Sequence, residues 1–232
     1  MESQHNKLPE EFDFFLYAQV WRPRFCCNNL KQCTKQKWIN ITGLDYHGLW
    51  PSYFKKQGYP SYCVNQHEMI FQGRVAHEWL KHGACSQFSP ASYLKHLVEL
   101  GESNRQLRQT NLMLIDASSK TTSQGGGGTV TVSSIYKTMG GERNVAIMSN
   151  KFCVLQELTS CFEKQLVDKD GHMLLVQMEC PESVLKSNRN SAVVQFKCNE
   201  LFVEAGNNGE EEKCKFISKE LLKKLKGVKN NI

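Results

Sequence analysis

The sequence predicts an α+β domain held together by disulfides, and three observations carry that reading. Apolar runs of strand length recur along the chain, beginning with Phe12–Val20 (FDFFLYAQV). Between them lie stretches with helical spacing, one of which opens with a Ser-Pro start. Ten cysteines occur in 232 residues, a density that points to bridges formed in an oxidising compartment.

Taken in order, Phe12–Val20 is apolar enough to be a buried strand, and Leu44–His47 reads as a second. Ser89–Leu100 starts with Ser89-Pro90 and places Tyr93, Leu94 and Leu97 on one helical face. Thr121–Thr129 (TTSQGGGGT) reads as a flexible loop. It is no phosphate cradle, because no Lys-Ser/Thr pair follows its glycines. Ser133–Met139 predicts a short helix, while Met173–Met178 and Ala192–Lys197 predict strands bounded by turn residues. No internal repeat is present. The expected organisation is a polar segment at 1–11, one domain at 12–212 and a basic tail at 213–232. That tail carries seven lysines, with Phe216, Leu221, Leu222 and Leu225 turned inward, and reads as a solvated amphipathic helix.

At 40% hydrophobic residues the chain is long enough for a single substantial core. A net charge of +6, from 29 basic against 23 acidic residues, suits a polyanionic partner without requiring one. Met1–Glu11 is polar, and no run resembles a signal h-region or a membrane span. With so many cysteines, the expectation is a secretory-pathway protein (extracellular, vacuolar or lysosomal), the chain being a mature form or its first exon wrongly assigned. A monomer with no membrane association is expected. Asn40-Ile41-Thr42 is a glycosylation sequon.

The chemistry concentrates in two short stretches, Leu44–Tyr53 (LDYHGLWPSY) and Ala76–Gln87 (AHEWLKHGACSQ). Three imidazoles, an acid and an amine suit proton transfer to and from a phosphate ester. On a helix at about 100° per residue, with His77 at zero, Lys81 falls near ~40°, Glu78 near ~100° and His82 near ~140°. Trp79 and Leu80, near ~200° and ~300°, are left for the core. Gly83 is placed to end the helix with a positive φ, and Cys85 to pin that end by a disulfide. A zinc protease is disfavoured, since its histidines stand at i and i+4 whereas His77 and His82 are i and i+5. A cysteine nucleophile is disfavoured by the expected bridging.

His47-Gly48-Leu49-Trp50-Pro51 together with His77-Glu78-Trp79-Leu80-Lys81-His82-Gly83-Ala84-Cys85 resembles the two active-site segments of the ribonuclease T2 family. These are acid, metal-independent endoribonucleases. Phe12–Trp21, Cys26 and Lys151–Phe162 (KFCVLQELTSCF) extend the resemblance, especially to plant members, over roughly residues 10–200. It implies a ribonuclease T2-like fold, with a central antiparallel sheet flanked by helices and stapled by disulfides. It implies an endoribonuclease that cleaves single-stranded RNA through attack of the 2′-hydroxyl, first to a 2′,3′-cyclic phosphate and then to a 3′-phosphate, with no cofactor and no metal.

By the same resemblance, His82 is the general base, His47 the general acid and His77 the phosphate holder, while Glu78 and Lys81 stabilise the transition state. Trp50 would stack on the base 5′ to the cut, Gln19 would contact substrate, and Arg74 is a candidate phosphate contact. The implied disulfides are Cys26–Cys33, Cys63–Cys85, Cys153–Cys198 and Cys161–Cys180, leaving Cys27 and Cys214. Three features depart from the family. Ser52 replaces an acidic residue used in base choice, Arg74 and Val75 replace pocket aromatics, and only thirteen residues separate Cys63 from His77, where most members place one or two helices. An alternative expectation follows from the shortened region: a ribonuclease-fold binding or defence protein with weak activity or none.

Overall fold

The computed structural model describes residues 11–28, 43–55, 59–63, 73–119, 127–150, 153–166, 173–185, 198 and 200–204. Its centre is strand β1, Phe14–Trp21, in which every position but Leu16 is buried. A strand covered on both faces must be apolar throughout, which is what FFLYAQVW supplies. β1 runs antiparallel to β2, Leu44–Ser52, on one side and to the long β5, Leu155–Leu166, on the other. The far edge of β5 is shared end to end, with β4, Val145–Ser149, beside its first half and β6, Met173–Met178, beside its second. The result is a five-stranded antiparallel sheet with β2 at one edge. That edge position accommodates Pro51, whose missing N–H costs no ladder bond there.

One sheet face packs on helices. Phe15, Tyr17 and Trp21 of β1, with Leu49, Leu158 and Phe162, join Tyr93, Leu97 and Leu100 of α3 (Pro90–Ser103) and Leu107 and Leu114 of α4 (Arg105–Ser119). Ser89 caps α3 by accepting from the Ser92 N–H at 3.2 Å. Asn104 ends α3 and caps α4 through the Leu107 N–H at 3.0 Å. Two short helices lie ahead of and beyond this pair, α1 at Arg22–Asn28 and α5 at Val132–Thr138; α2, Gly73–Lys81, leads into the functional site. On the opposite sheet face Phe14, Ala146 and Val184 enclose the Cys161–Cys180 disulfide.

The fold class therefore stands as expected, with changes in detail. β1 and the helix after Ser89 lie where the sequence put them, displaced by a few residues at their ends, and β6 matches its expected span. The glycine-rich reading needs correction. Gly127–Thr131 is a strand, β3, paired antiparallel with β7, Glu200–Glu204. Poor β propensity is overridden because Val130, Leu201 and Val203 are buried in the main core once the two strands meet. The expected strand at Ala192–Lys197, the tail at 213–232, the sequon at Asn40 and the Cys33 and Cys214 assignments lie outside the described residues. Disulfides join Cys63 to Cys85, Cys153 to Cys198 and Cys161 to Cys180, and Cys26 is disulfide-bonded as well. No helix among the described residues is long and apolar enough to cross a membrane.

Candidate active site

β1 and β2 keep register from Phe14 to Ala18, where Ala18 faces Gly48, and from Gln19 onward, where Gln19 faces Tyr46. His47 is the residue between, an extra one in β2 without a partner of its own in β1. This bulge lets both Leu49 and Tyr46 reach the helical side of the sheet while His47 turns to the other. There His47 crosses above the small Ala18 and meets Glu157 of β5, with Nδ1 2.5 Å from Glu157 Oε2. The second Glu157 oxygen accepts from the Thr159 hydroxyl at 3.3 Å.

The other half of the site comes from α2, anchored by Trp79, which is 1% exposed and packs edge-on against Tyr93. The Tyr93 hydroxyl in turn accepts from the Leu49 N–H at 3.1 Å, so one tyrosine braces both motif segments. The Cys63–Cys85 bridge and a Tyr62 N–H bond to the Lys81 carbonyl, 3.0 Å, draw residues 59–63 over the end of the helix.

Glu78 is the meeting point. One carboxylate oxygen lies 3.7 Å from His47 Nε2, and the other lies 4.0 Å from His82 Nε2 and accepts from Trp50 Nε1 at 3.0 Å. Trp50 stands edge-on to His47, with ring centroids 4.9 Å apart, and stacks on His82 at 5.0 Å. Tyr59 covers His82 from another side at 4.7 Å, and Lys81 Nζ sits 5.4 Å from the Tyr59 ring. A Cβ on Gly48 would collide with the Trp50 indole and come 3.0 Å from Glu78 Oε2, so the motif glycine leaves room for this contact.

The two imidazoles that flank Glu78 differ in setting. The His47 side chain is 29% exposed and hydrogen-bonded to a buried carboxylate. His82 is 2% exposed, and burial pushes it down to about 3, with the charges of Lys81, His47 and His77 adding to the effect. It is therefore neutral across the physiological range, free to accept a proton.

Of the residues expected from the sequence, His47, Trp50, Glu78 and His82 converge, with Lys81 at their rim. His77 is exposed on α2, and nothing is described of the Arg74 side chain. Gln19 is not brought to the cluster. It is 4% exposed and alternates with Tyr17 and Trp21, so it belongs to the core-facing side of β1. Leu80, expected in the core, is 45% exposed, because the buried stripe of α2 comprises Glu78 and Trp79 instead. Gly83 does not end the helix with a positive φ. It opens a 3₁₀ turn, Gly83–Cys85, and is small because a Cβ there would strike the Trp79 ring. Glu157 and Tyr59 were missed. The only trace of Glu157 is one charge within the apolar run VLQELTSCF. Among the described residues no three His, Cys, Asp or Glu side chains are grouped to hold a metal ion.

The fold and site together are a disulfide-stapled antiparallel sheet with a histidine–carboxylate cluster over its bulged edge, an arrangement that can be compared with known proteins. The model of the ribonuclease T2 family matches residues 12–73. The match stops at Gly73, just before the departures at Arg74 and Val75. A ribonuclease of Aeromonas hydrophila is 27% identical over 170 residues, 68% of this chain and 75% of that protein. The RNase-related protein from Calystegia sepium shares the fold with a TM-score of 0.58 at 17% identity, over 85% of this chain and 100% of the other. RNase NT in complex with 5′-AMP gives 0.51 at 18% identity, over 84% and 98%.

Proposed function

We propose that the chain is an endoribonuclease that cleaves single-stranded RNA by transphosphorylation. The observation that carries this reading is one carboxylate, Glu78, facing a buried neutral imidazole on one side and a carboxylate-paired imidazole on the other. RNA supplies its own nucleophile, so the protein need only move two protons and stabilise the phosphorane. His82 takes the 2′-hydroxyl proton as the oxygen attacks phosphorus. His47 gives a proton to the departing 5′-oxygen, leaving a 2′,3′-cyclic phosphate that water opens to a 3′-phosphate. Lys81 and His77 offset the phosphate charge at the rim, and Glu78 with the Trp50 N–H orients the pair. Trp50 and the 40% exposed Tyr59 supply aromatic faces for bases. The disulfide-bonded cysteines support passage through an oxidising compartment, and glycosylation at Asn40 and a monomeric state complete the proposal.

The test is cleavage of single-stranded RNA by the oxidised protein at mildly acid pH in EDTA, beside His82→Ala, with product ends resolved by mass. Release of 2′,3′-cyclic ends that withstands EDTA and is lost in His82→Ala is the expected result. A second reading, a weakly active or inactive binding protein, is favoured by the cover that Trp50 and Tyr59 place over His82. RNA binding without cleavage by a demonstrably folded protein would select it.

A further inference from the structure

We propose that Glu157 is a positioning residue for His47: its carboxylate accepts the Nδ1 proton and so turns Nε2 toward the reacting phosphate. The proposal rests on the general-acid role given to His47 above. An imidazole has its two nitrogens on opposite sides of the ring, so a bond at one fixes where the other points. Nδ1 lies 2.5 Å from Glu157 Oε2, and Nε2 is the nitrogen that faces Glu78 at 3.7 Å.

Three further features fit this role. Glu157 is 7% exposed on the central part of β5, where a carboxylate is costly unless its oxygens are bonded. Its two oxygens are occupied by His47 and Thr159, each on the same sheet face. The β2 bulge gives up a regular ladder position to bring His47 to that face, across Ala18, whose methyl is low enough for the side chains to meet above it.

In the cleavage step the P–O5′ bond breaks and its electron pair takes the proton from His47 Nε2. Nδ1 keeps its own proton throughout, donating it in a hydrogen bond to Glu157, so the ring ends neutral in a single tautomer. Without Glu157 the neutral ring is free to carry its proton on either nitrogen and to rotate.

The test compares wild type, Glu157→Gln and Glu157→Ala on two substrates. One is a dinucleotide, whose alkoxide leaving group needs a proton. The other is a nucleoside 3′-(4-nitrophenyl phosphate), whose phenolate leaves without one. The expected result is a fall in kcat of about 10²-fold or more on the dinucleotide. KM and turnover of the nitrophenyl ester should stay within about threefold, since uniform binding is untouched. Glu157→Gln keeps the side-chain volume, so it reports even where Glu157→Ala fails to fold. It should show the same selective loss, because an amide can donate to Nδ1 and invert the tautomer. Equal losses on both esters, or no loss on the dinucleotide, would overturn the proposal.

Should wild type cleave neither ester, the ribonuclease reading falls, and side-chain ¹⁵N–¹H spectra still decide the matter. They should place a proton on His47 Nδ1 in wild type, a mixture of tautomers in Glu157→Ala and the inverted tautomer in Glu157→Gln, the His47 signals being assigned with His47→Gln. Identical His47 spectra would reject the positioning role.

Discussion

His47 and His82 flank the same carboxylate, Glu78, from different surroundings. His82 has Trp50 and Tyr59 against its ring, and burial lowers it to about 3. A base with that value stays ready to accept a proton even in acid. The expected outcome is that the acid limb of kcat/KM lies well below the ordinary imidazole value of about 6.5. The His82 ring signals in proton NMR should likewise stay constant between about pH 5 and pH 8, and a midpoint near 6.5 for that ring would refute the assignment. Gly48 governs the same cluster by leaving space. Gly48→Ala should cost about 10²-fold in activity, because its methyl displaces the Trp50 indole from Glu78, with a native circular dichroism spectrum. The histidines were legible in the sequence since each sits in a motif of nine residues or fewer. Glu157 was not, because its partner lies 110 residues away and only sheet pairing brings them together.

Elements were legible where local pattern and tertiary environment agree. β1 is apolar because it is central, and α3 announces itself through Ser89-Pro90 and the buried Tyr93, Leu97 and Leu100. β3 could not be read locally, since what makes its glycines extended is a partner strand some seventy residues later. The end of α2 shows a subtler mismatch. Glycine at 83 suggested a left-handed cap, yet its role is to admit the Trp79 ring, which in turn seats the helix against Tyr93. Gly83→Ala should therefore destabilise through overpacking by about 1–3 kcal/mol, visible as a lower urea midpoint with an unchanged slope. A change within ~0.3 kcal/mol would mean that Trp79 can give way and that steric closeness is not why glycine stands there.

For the molecule as a whole, the buried neutral His82 couples stability to pH. In the unfolded chain its imidazole has the ordinary value of about 6.5, and in the folded protein it is lowered to about 3. Between those values the unfolded state holds a proton that the folded state refuses, so stability rises with pH through that window. The contribution is complete above the unfolded value, drains away as the pH falls toward about 3, and changes no further below it. Each pH unit inside the window corresponds to about 1.4 kcal/mol. The Cys63–Cys85 bridge, which closes a separation of 22 residues, works against this loss at every pH. Its removal by Cys63→Ser with Cys85→Ser should cost about 3 kcal/mol and loosen Tyr59 from His82. The two effects separate cleanly in one experiment, urea unfolding at pH 7 and at pH 4.5 of the wild type, the double serine variant and His82→Gln. Contributions from groups common to all three proteins largely cancel in the comparison. Wild type and the serine variant should each lose about 2–3 kcal/mol more than His82→Gln on acidification. If all three lose the same amount, His82 takes up its proton alike in both states, and its neutrality in the fold is refuted along with the base role built on it.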